Sequence, residues 1–234
     1  MCATLLSTHG GTDHSRKERV IVLPIPTSRD KRTVTGTEIP LEEIAEQVRP
    51  GALVAGYGIP DWLGDRIGEL GGVIYDGAMD EELVMKNARL TAEGAVGRII
   101  TTEGRSPSEL SVGVVGYGRI GGALVRLLLF LGSRVTVYSG KDSTLRALAE
   151  LGIDARDYRG GLDLGGLDLL INTAPARLIE KRDLKGREEL KIIDLASGNY
   201  LDGLPRVEKM PSIPEIMFPI SAGRIYYESI VAHL

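Results

Sequence analysis

One stretch of this chain constrains its fold more than any other. An apolar strand, Val112-Gly-Val-Val115, runs into Gly116-Tyr-Gly118-Arg-Ile-Gly121, and an apolar helix follows over Arg119 to Leu131. A strand, a Gly-x-Gly-x-x-Gly turn and a helix in immediate succession give each glycine a physical task. Gly116 allows the tight turn, Gly118 lets the backbone approach a pyrophosphate at the helix N-terminus, and Gly121 lets helix pack on strand. The candidate cofactor-binding residues are therefore Gly116, Gly118, Arg119, Ile120 and Gly121, with backbone amides as donors. A glycine turn that serves only the fold is the alternative.

The remaining pattern places this unit in the second of two lobes. Strand-like runs at Val20 to Leu23, Ala52 to Ala55 and Val73 to Tyr75 alternate with helical patterns at Leu41 to Val48 and Trp62 to Leu70. That is the β-α-β-α-β order of a parallel sheet. A connecting helix is expected over Asn87 to Gly104, with Thr91 as N-cap and Glu93 in the first turn, where the helix dipole favours an anion. Gly104 and Ser106-Pro107-Ser108 make a break. Beyond it, strands are expected at Ser111 to Val115, Arg134 to Tyr138, Asp168 to Thr173 and Lys191 to Leu195, with shorter elements near Ile153 to Tyr158 and Ile216 to Ile220. A helix is expected at Ser143 to Leu151 and another from about Ala222 to Leu234. The expected domains are a polar tail (1–19), an α/β lobe with the connecting helix (20–104), a dinucleotide-binding lobe (105–221) and a last helix returning to the first lobe (222–234).

The end of the second strand of the dinucleotide-binding lobe bears on cofactor choice. An NAD site carries a carboxylate there for the ribose 2′-hydroxyl. This chain reads Tyr138-Ser139-Gly140-Lys141, and Asp142 is as well suited to capping the next helix. Ser139 and Lys141 can donate to a 2′-phosphate, so NADP(H) is favoured, with NAD(H) the alternative. Two further strand ends, Asn172-Thr173-Ala174-Pro175 and Asp194-Leu-Ala-Ser197, are expected to face the nicotinamide half, because open α/β sheets bind ligands beyond the carboxyl ends of their strands. Asn172, Thr173 and Pro175 join the candidate cofactor set, and Ser197 the candidate substrate set.

Composition excludes other classes. The 28 Lys and Arg against 32 Asp and Glu give a net charge of −4, with no basic block to bind nucleic acid or an anionic membrane. The longest apolar run, Leu127 to Leu131, falls far short of the ~20 residues that span a bilayer. A single cysteine, Cys2, and an N-terminus without a signal-peptide pattern point to a reducing cytoplasm. No metal site is expected.

Several stretches, in order along the chain, resemble the A subunits of bacterial dipicolinate synthases, relatives of the D-2-hydroxyacid dehydrogenases. They are Leu23-Pro-Ile-Pro26, Asn87 with Thr91-Ala-Glu-Gly94, Val114 to Gly121, Ile171-Asn-Thr-Ala-Pro175 and Ile192-Ile-Asp-Leu-Ala-Ser197. The resemblance implies a C-terminal Rossmann domain with a smaller, flavodoxin-like N-terminal α/β domain. It further implies oxidation of a dihydrodipicolinate-type ring with a nicotinamide cofactor, beside a flavoprotein-like second subunit, in the mother cell of a spore-former. Where the family has an arginine after the second Rossmann strand, this chain has Gly140 and then Lys141.

Such a reaction needs donors for two substrate carboxylates and an acceptor for one proton. Asn87 and Thr91 are candidates through the family match, and Arg29 and Arg89 through charge. Glu93 and Asp194 are the candidate catalytic carboxylates. Two alternatives stand beside this expectation: a regulatory subunit that binds the dinucleotide without turnover, and a D-2-hydroxyacid dehydrogenase, whose customary histidine has no counterpart near residues 194–219. A homo-oligomer is expected.

Overall fold

The computed structural model describes residues 18–234, so nearly all of the expected polar tail lies outside the described residues. Two compact units divide the chain, one of residues up to 84 together with 223–234, the other of residues 85–222.

In the first unit, β1 (Glu18–Val22), β2 (Val48–Gly56) and β3 (Val73–Asp76) form a three-stranded sheet in that order, every pair parallel. The β2 segment from Ala52 to Ala55 is apolar without interruption because both faces of the sheet are covered. Ala52 and Val54 join Ile21, Leu41, Leu63 and Ile67 on one face, packed by α1 (Leu41–Glu46) and α2 (Asp61–Glu69). Leu53 and Ala55 point the other way, to Tyr75 and to Ile230 on α7 (Pro219–Val231). The Tyr226 hydroxyl donates to the Leu23 carbonyl at 3.0 Å, tying that helix to the end of β1.

The second unit holds six strands: β4 (Ser111–Val115), β5 (Arg134–Ser139), β6 (Asp154–Asp157), β7 (Leu169–Asn172), β8 (Lys191–Asp194) and β9 (Val207–Lys209). Their spatial order is β6-β5-β4-β7-β8-β9, all parallel. Counted within this sheet the order is 3-2-1-4-5-6, the Rossmann arrangement, so the winding reverses between β4 and β7. One face packs Val112, Val114, Val137 and Ile171 against Ala92, Ala95 and Ile99 of α3 (Glu81–Thr102) and against Leu124 and Leu128 of α4 (Arg119–Phe130). The other buries Val115, Tyr138, Leu170 and Ile192 under Leu162, Leu184 and Leu201. The expected α/β class is what the chain adopts.

Several local expectations are corrected. The connecting helix α3 begins at Glu81 and not at Asn87, because Asp80 caps it, accepting from the amides of Glu82 at 3.0 Å and Leu83 at 3.1 Å. Thr91 is therefore no N-cap; in mid-helix its hydroxyl donates to the Asn87 carbonyl at 2.9 Å. Glu93 likewise lies beyond the first turn, and its partner is Arg89 at 2.7 Å, one turn earlier, rather than the helix dipole. The segment Ile216 to Ile220 is helical, ending α6 (Ile213–Met217) and starting α7, each with a proline at its beginning. Asp142 is the first residue of α5 (Asp142–Glu150), whose N-cap is Lys141. Its carboxylate accepts from Arg159 instead of capping.

Candidate dinucleotide-binding site

The turn after β4 has the geometry its glycines call for. Gly116 has φ +93°, in the left-handed region, and a Cβ there would lie 2.9 Å from the Thr173 hydroxyl. A Cβ on Gly121 would lie 2.4 Å from the Gly116 carbonyl oxygen. Helix α4 can thus approach the strand only with glycine at both places. Gly118 differs: a Cβ there would meet nothing within 4 Å, and the residue is exposed. It is the N-cap of α4, makes no side-chain cap hydrogen bond, and the first turn contains no acid. An exposed, acid-free helix start with the positive end of the dipole behind it suits a dianionic pyrophosphate.

Thr173 braces the turn from across the winding reversal. Its hydroxyl donates to the Val115 carbonyl at 3.0 Å, and its amide reaches the same carbonyl at 2.9 Å. Thr173 therefore shapes the Gly116–Gly118 turn from the end of β7, a role its place in the sequence alone does not reveal.

Behind it, β7 and β8 end in register at a buried polar pair. Asn172, fully buried, donates from Nδ2 to Asp194 Oδ1 at 2.8 Å and to the Ala174 carbonyl at 3.2 Å, and its Oδ1 accepts from the Ala174 amide. Asp194, 2% exposed, also accepts from the Ala196 amide at 3.2 Å. The pair fixes both strand-end turns, leaving Pro175 and Ser197 exposed beyond them. Asp194 thus has a positioning geometry, with its carboxylate held by amides.

At the end of β5, Ser139 is buried and its hydroxyl accepts the Lys141 amide at 3.2 Å, while the Lys141 side chain is exposed. Sequence reasoning missed the neighbouring strand end, Asp157-Tyr158-Arg159, whose guanidinium engages both Asp157 and Asp142. Its only signal was the short element expected at Ile153 to Tyr158.

The other candidates are spread more widely. Asn87, Arg89, Thr91 and Glu93 lie along α3, Thr91 buried and Glu93 half-buried, all in the second unit. Arg29 belongs to the first unit, exposed in a turn that Asp30 stabilises by accepting the Arg32 and Thr33 amides at 2.8 Å. A groove of about 810 Å³ between α1 and α2 is lined by Glu42, Glu46, Asp65 and Glu69 against the single cation Arg66, a net negative charge that repels phosphate. Among the described residues, no helix is long and apolar enough to cross a membrane.

Solved structures share this fold. The chain superposes on the dipicolinate synthase A protein from Bacillus halodurans with a TM-score of 0.78, 24% identity, and coverage of 92% of this chain and 78% of that one. The corresponding dipicolinate synthase polypeptide from Bacillus subtilis gives 0.77, 20% identity, and coverage of 95% and 80%. The fold is that of these dipicolinate synthase proteins. A transhydrogenase from Sinorhizobium meliloti follows at 0.60 and 16% identity, over 92% of this chain and 72% of that one. No family model and no curated protein matches the chain in sequence.

Proposed function

We propose that this chain is an NADP(H)-dependent oxidoreductase that oxidises a dihydrodipicolinate-type cyclic dicarboxylate to dipicolinate. The observation that carries the redox assignment is the open, acid-free Gly118 turn at the winding reversal of a Rossmann sheet. The substrate class is supported by the fold shared with the two dipicolinate synthase proteins. NADP(H) is preferred because Ser139 and Lys141, with no carboxylate, end the second strand.

A nicotinamide dinucleotide bound there supplies a hydride acceptor. Removing a hydride and a proton from a dihydropyridine ring leaves an aromatic product, so the base need not be strongly tuned. Glu93, half-buried, is the more accessible proton acceptor, and Asp194 acts by holding Asn172 and the turn to Pro175. The hydroxyl proton of Thr91 is committed to the Asn87 carbonyl, so Arg89, the Asn87 amide and Ser197 are the donors assigned to the substrate carboxylates. The setting that goes with this function is the cytoplasm of a spore-former, where the chain forms a homo-oligomer and works with a flavoprotein-like partner.

The test is to incubate the purified chain, with and without a candidate flavoprotein partner, with dihydrodipicolinate and NADP⁺, following reduced nicotinamide by absorbance. Formation of NADPH and dipicolinate in equal amounts is expected, and Lys141→Ala weakens NADP(H) binding. Tight NADP(H) binding with no cyclic dicarboxylate oxidised replaces the enzyme by a nucleotide-sensing protein without catalysis.

A further inference from the structure

The ends of β5 and β6 lie side by side, Ser139 in register with Asp157, so the two residues that follow each of them are neighbours. A Cβ on Gly140 would lie 2.8 Å from the Tyr158 ring. A side chain at position 140 would have to push the Tyr158 ring aside, and the cations of this corner stand instead at Lys141 and Arg159. Arg159 stands one residue further along the neighbouring strand end. Its Nε donates to both oxygens of Asp157, at 2.8 and 3.0 Å, and its Nη2 bridges Asp157 and Asp142 on the first turn of α5. Nη1 carries no hydrogen bond among the described residues, and the side chain is 54% exposed.

The charge balance decides what this corner can accept. Lys141 and Arg159 together cancel Asp142 and Asp157. Without Arg159, two unmasked carboxylates would outweigh one lysine, which repels a 2′-phosphate and offers acceptors to a 2′-hydroxyl. With Arg159 in place both carboxylates are occupied. Asp157 is held below the usual carboxylate range, first by the Arg159 guanidinium and then by the Arg159 amide.

We infer that Arg159 is the residue that sets the choice between NADP(H) and NAD(H), by masking Asp142 and Asp157 and offering Nη1, beside Lys141, to the ribose 2′-phosphate. The inference rests on the dinucleotide site proposed above. Fluorescence or calorimetric titration of NADP⁺ and NAD⁺ into wild type, Arg159→Ala, Arg159→Lys and Asp157→Asn tests it without any substrate. Arg159→Ala is expected to weaken NADP⁺ about tenfold or more while leaving NAD⁺ unchanged or tighter. Arg159→Lys should fall between, and Asp157→Asn should tighten NADP⁺ several-fold. A thermal melt of each variant confirms folding, which an exposed side chain does not endanger.

If Arg159→Ala changes both affinities by the same factor, or neither, Arg159 is not the selector. The wild-type ratio is a separate readout: a preference for NAD⁺ overturns the proposed NADP(H) dependence, while a shift of the ratio in Arg159→Ala still upholds Arg159. Binding of neither dinucleotide to wild type overturns both.

Discussion

Two strand ends in this protein read Gly-Tyr-Gly, Gly56-Tyr57-Gly58 after β2 and Gly116-Tyr117-Gly118 after β4, and their amides meet different partners. In the first, Asp76 accepts from the amides of Gly58 at 2.8 Å, Ile59 at 2.9 Å and Ala78 at 2.9 Å, and the Thr27 hydroxyl accepts from Tyr57 at 2.8 Å. The anion for that turn is supplied from within. In the second, the helix start has neither acid nor side-chain cap. Glycines make both turns possible, but only where the fold withholds its own carboxylate does a place remain for a ligand's phosphate.

The largest expected effect breaks the second turn. Gly121→Val puts a side chain where even a Cβ would be 2.4 Å from the Gly116 carbonyl, so the turn must open. We expect dinucleotide binding by titration to fall below detection, with a stability loss of about 1–3 kcal/mol from the strain. The matching change in the first turn, Gly58→Ala at φ +69°, should cost about 1–2 kcal/mol and leave affinity within about twofold.

How much of this was legible in the sequence follows from which contacts are local. The β4-Gly116-Gly121-α4 unit was readable because strand, turn and helix are contiguous and Gly121 packs on the Gly116 carbonyl five residues back. Both sheets followed from alternation of apolar runs. The start of α3 was misread because the polar Thr91 resembles a cap, whereas the actual cap, Asp80, was hidden in a turn. Thr173's brace on Val115, the Asn172–Asp194 pair and the Arg159 bridge to Asp142 join residues 17 to 58 apart. No local pattern announces such pairs, and β9 is too short, at three residues, for any periodicity to show.

Asp76→Ala sharpens the comparison from the other side. Three amides lose their acceptor at once, and a loss of about 3 kcal/mol or more in urea unfolding is expected. Dinucleotide affinity should stay within about twofold of wild type, since the turn it opens is not the one proposed to hold the dinucleotide. A loss of affinity as large as that of Gly121→Val would mean that the two turns are not independent.

Within the second unit, the carboxylates should separate by role. Glu93→Gln is expected to lower turnover about a hundredfold, as loss of a proton acceptor does. Asp194→Asn keeps both hydrogen bonds, which Oδ1 alone accepts, and removes the charge that strengthens them, so about a tenfold loss is expected. Cofactor affinity should remain nearly intact in both. If Asp194→Asn proves the more damaging in kcat, with a shifted pH profile, the proton acceptor is Asp194.

The smallest effect concerns pH, again because the first unit supplies its own anions. Asp80 caps α3 while accepting hydrogen bonds from Ser229 on α7 and from Tyr75 at 2.7 Å. The Ser229 hydroxyl first, then the Tyr75 hydroxyl, hold the carboxyl down at about 2, with burial opposing them. The folded state therefore binds the proton less readily than the unfolded chain. Its contribution to stability is complete above pH ~4 and disappears as pH falls towards about 2. Tyr75 works in the opposite sense: burial pushes its phenol up to about 12, so its contribution is complete below pH ~10 and is lost on the way to 12. Asparagine caps a helix as well as aspartate does, so Asp80→Asn removes the charge and spares the cap. A Tm deficit of about 2–4 °C at pH 6 is expected, shrinking towards zero near pH 2. A deficit that stays constant over that range would show that Asp80 stabilises α3 and α7 by shape alone.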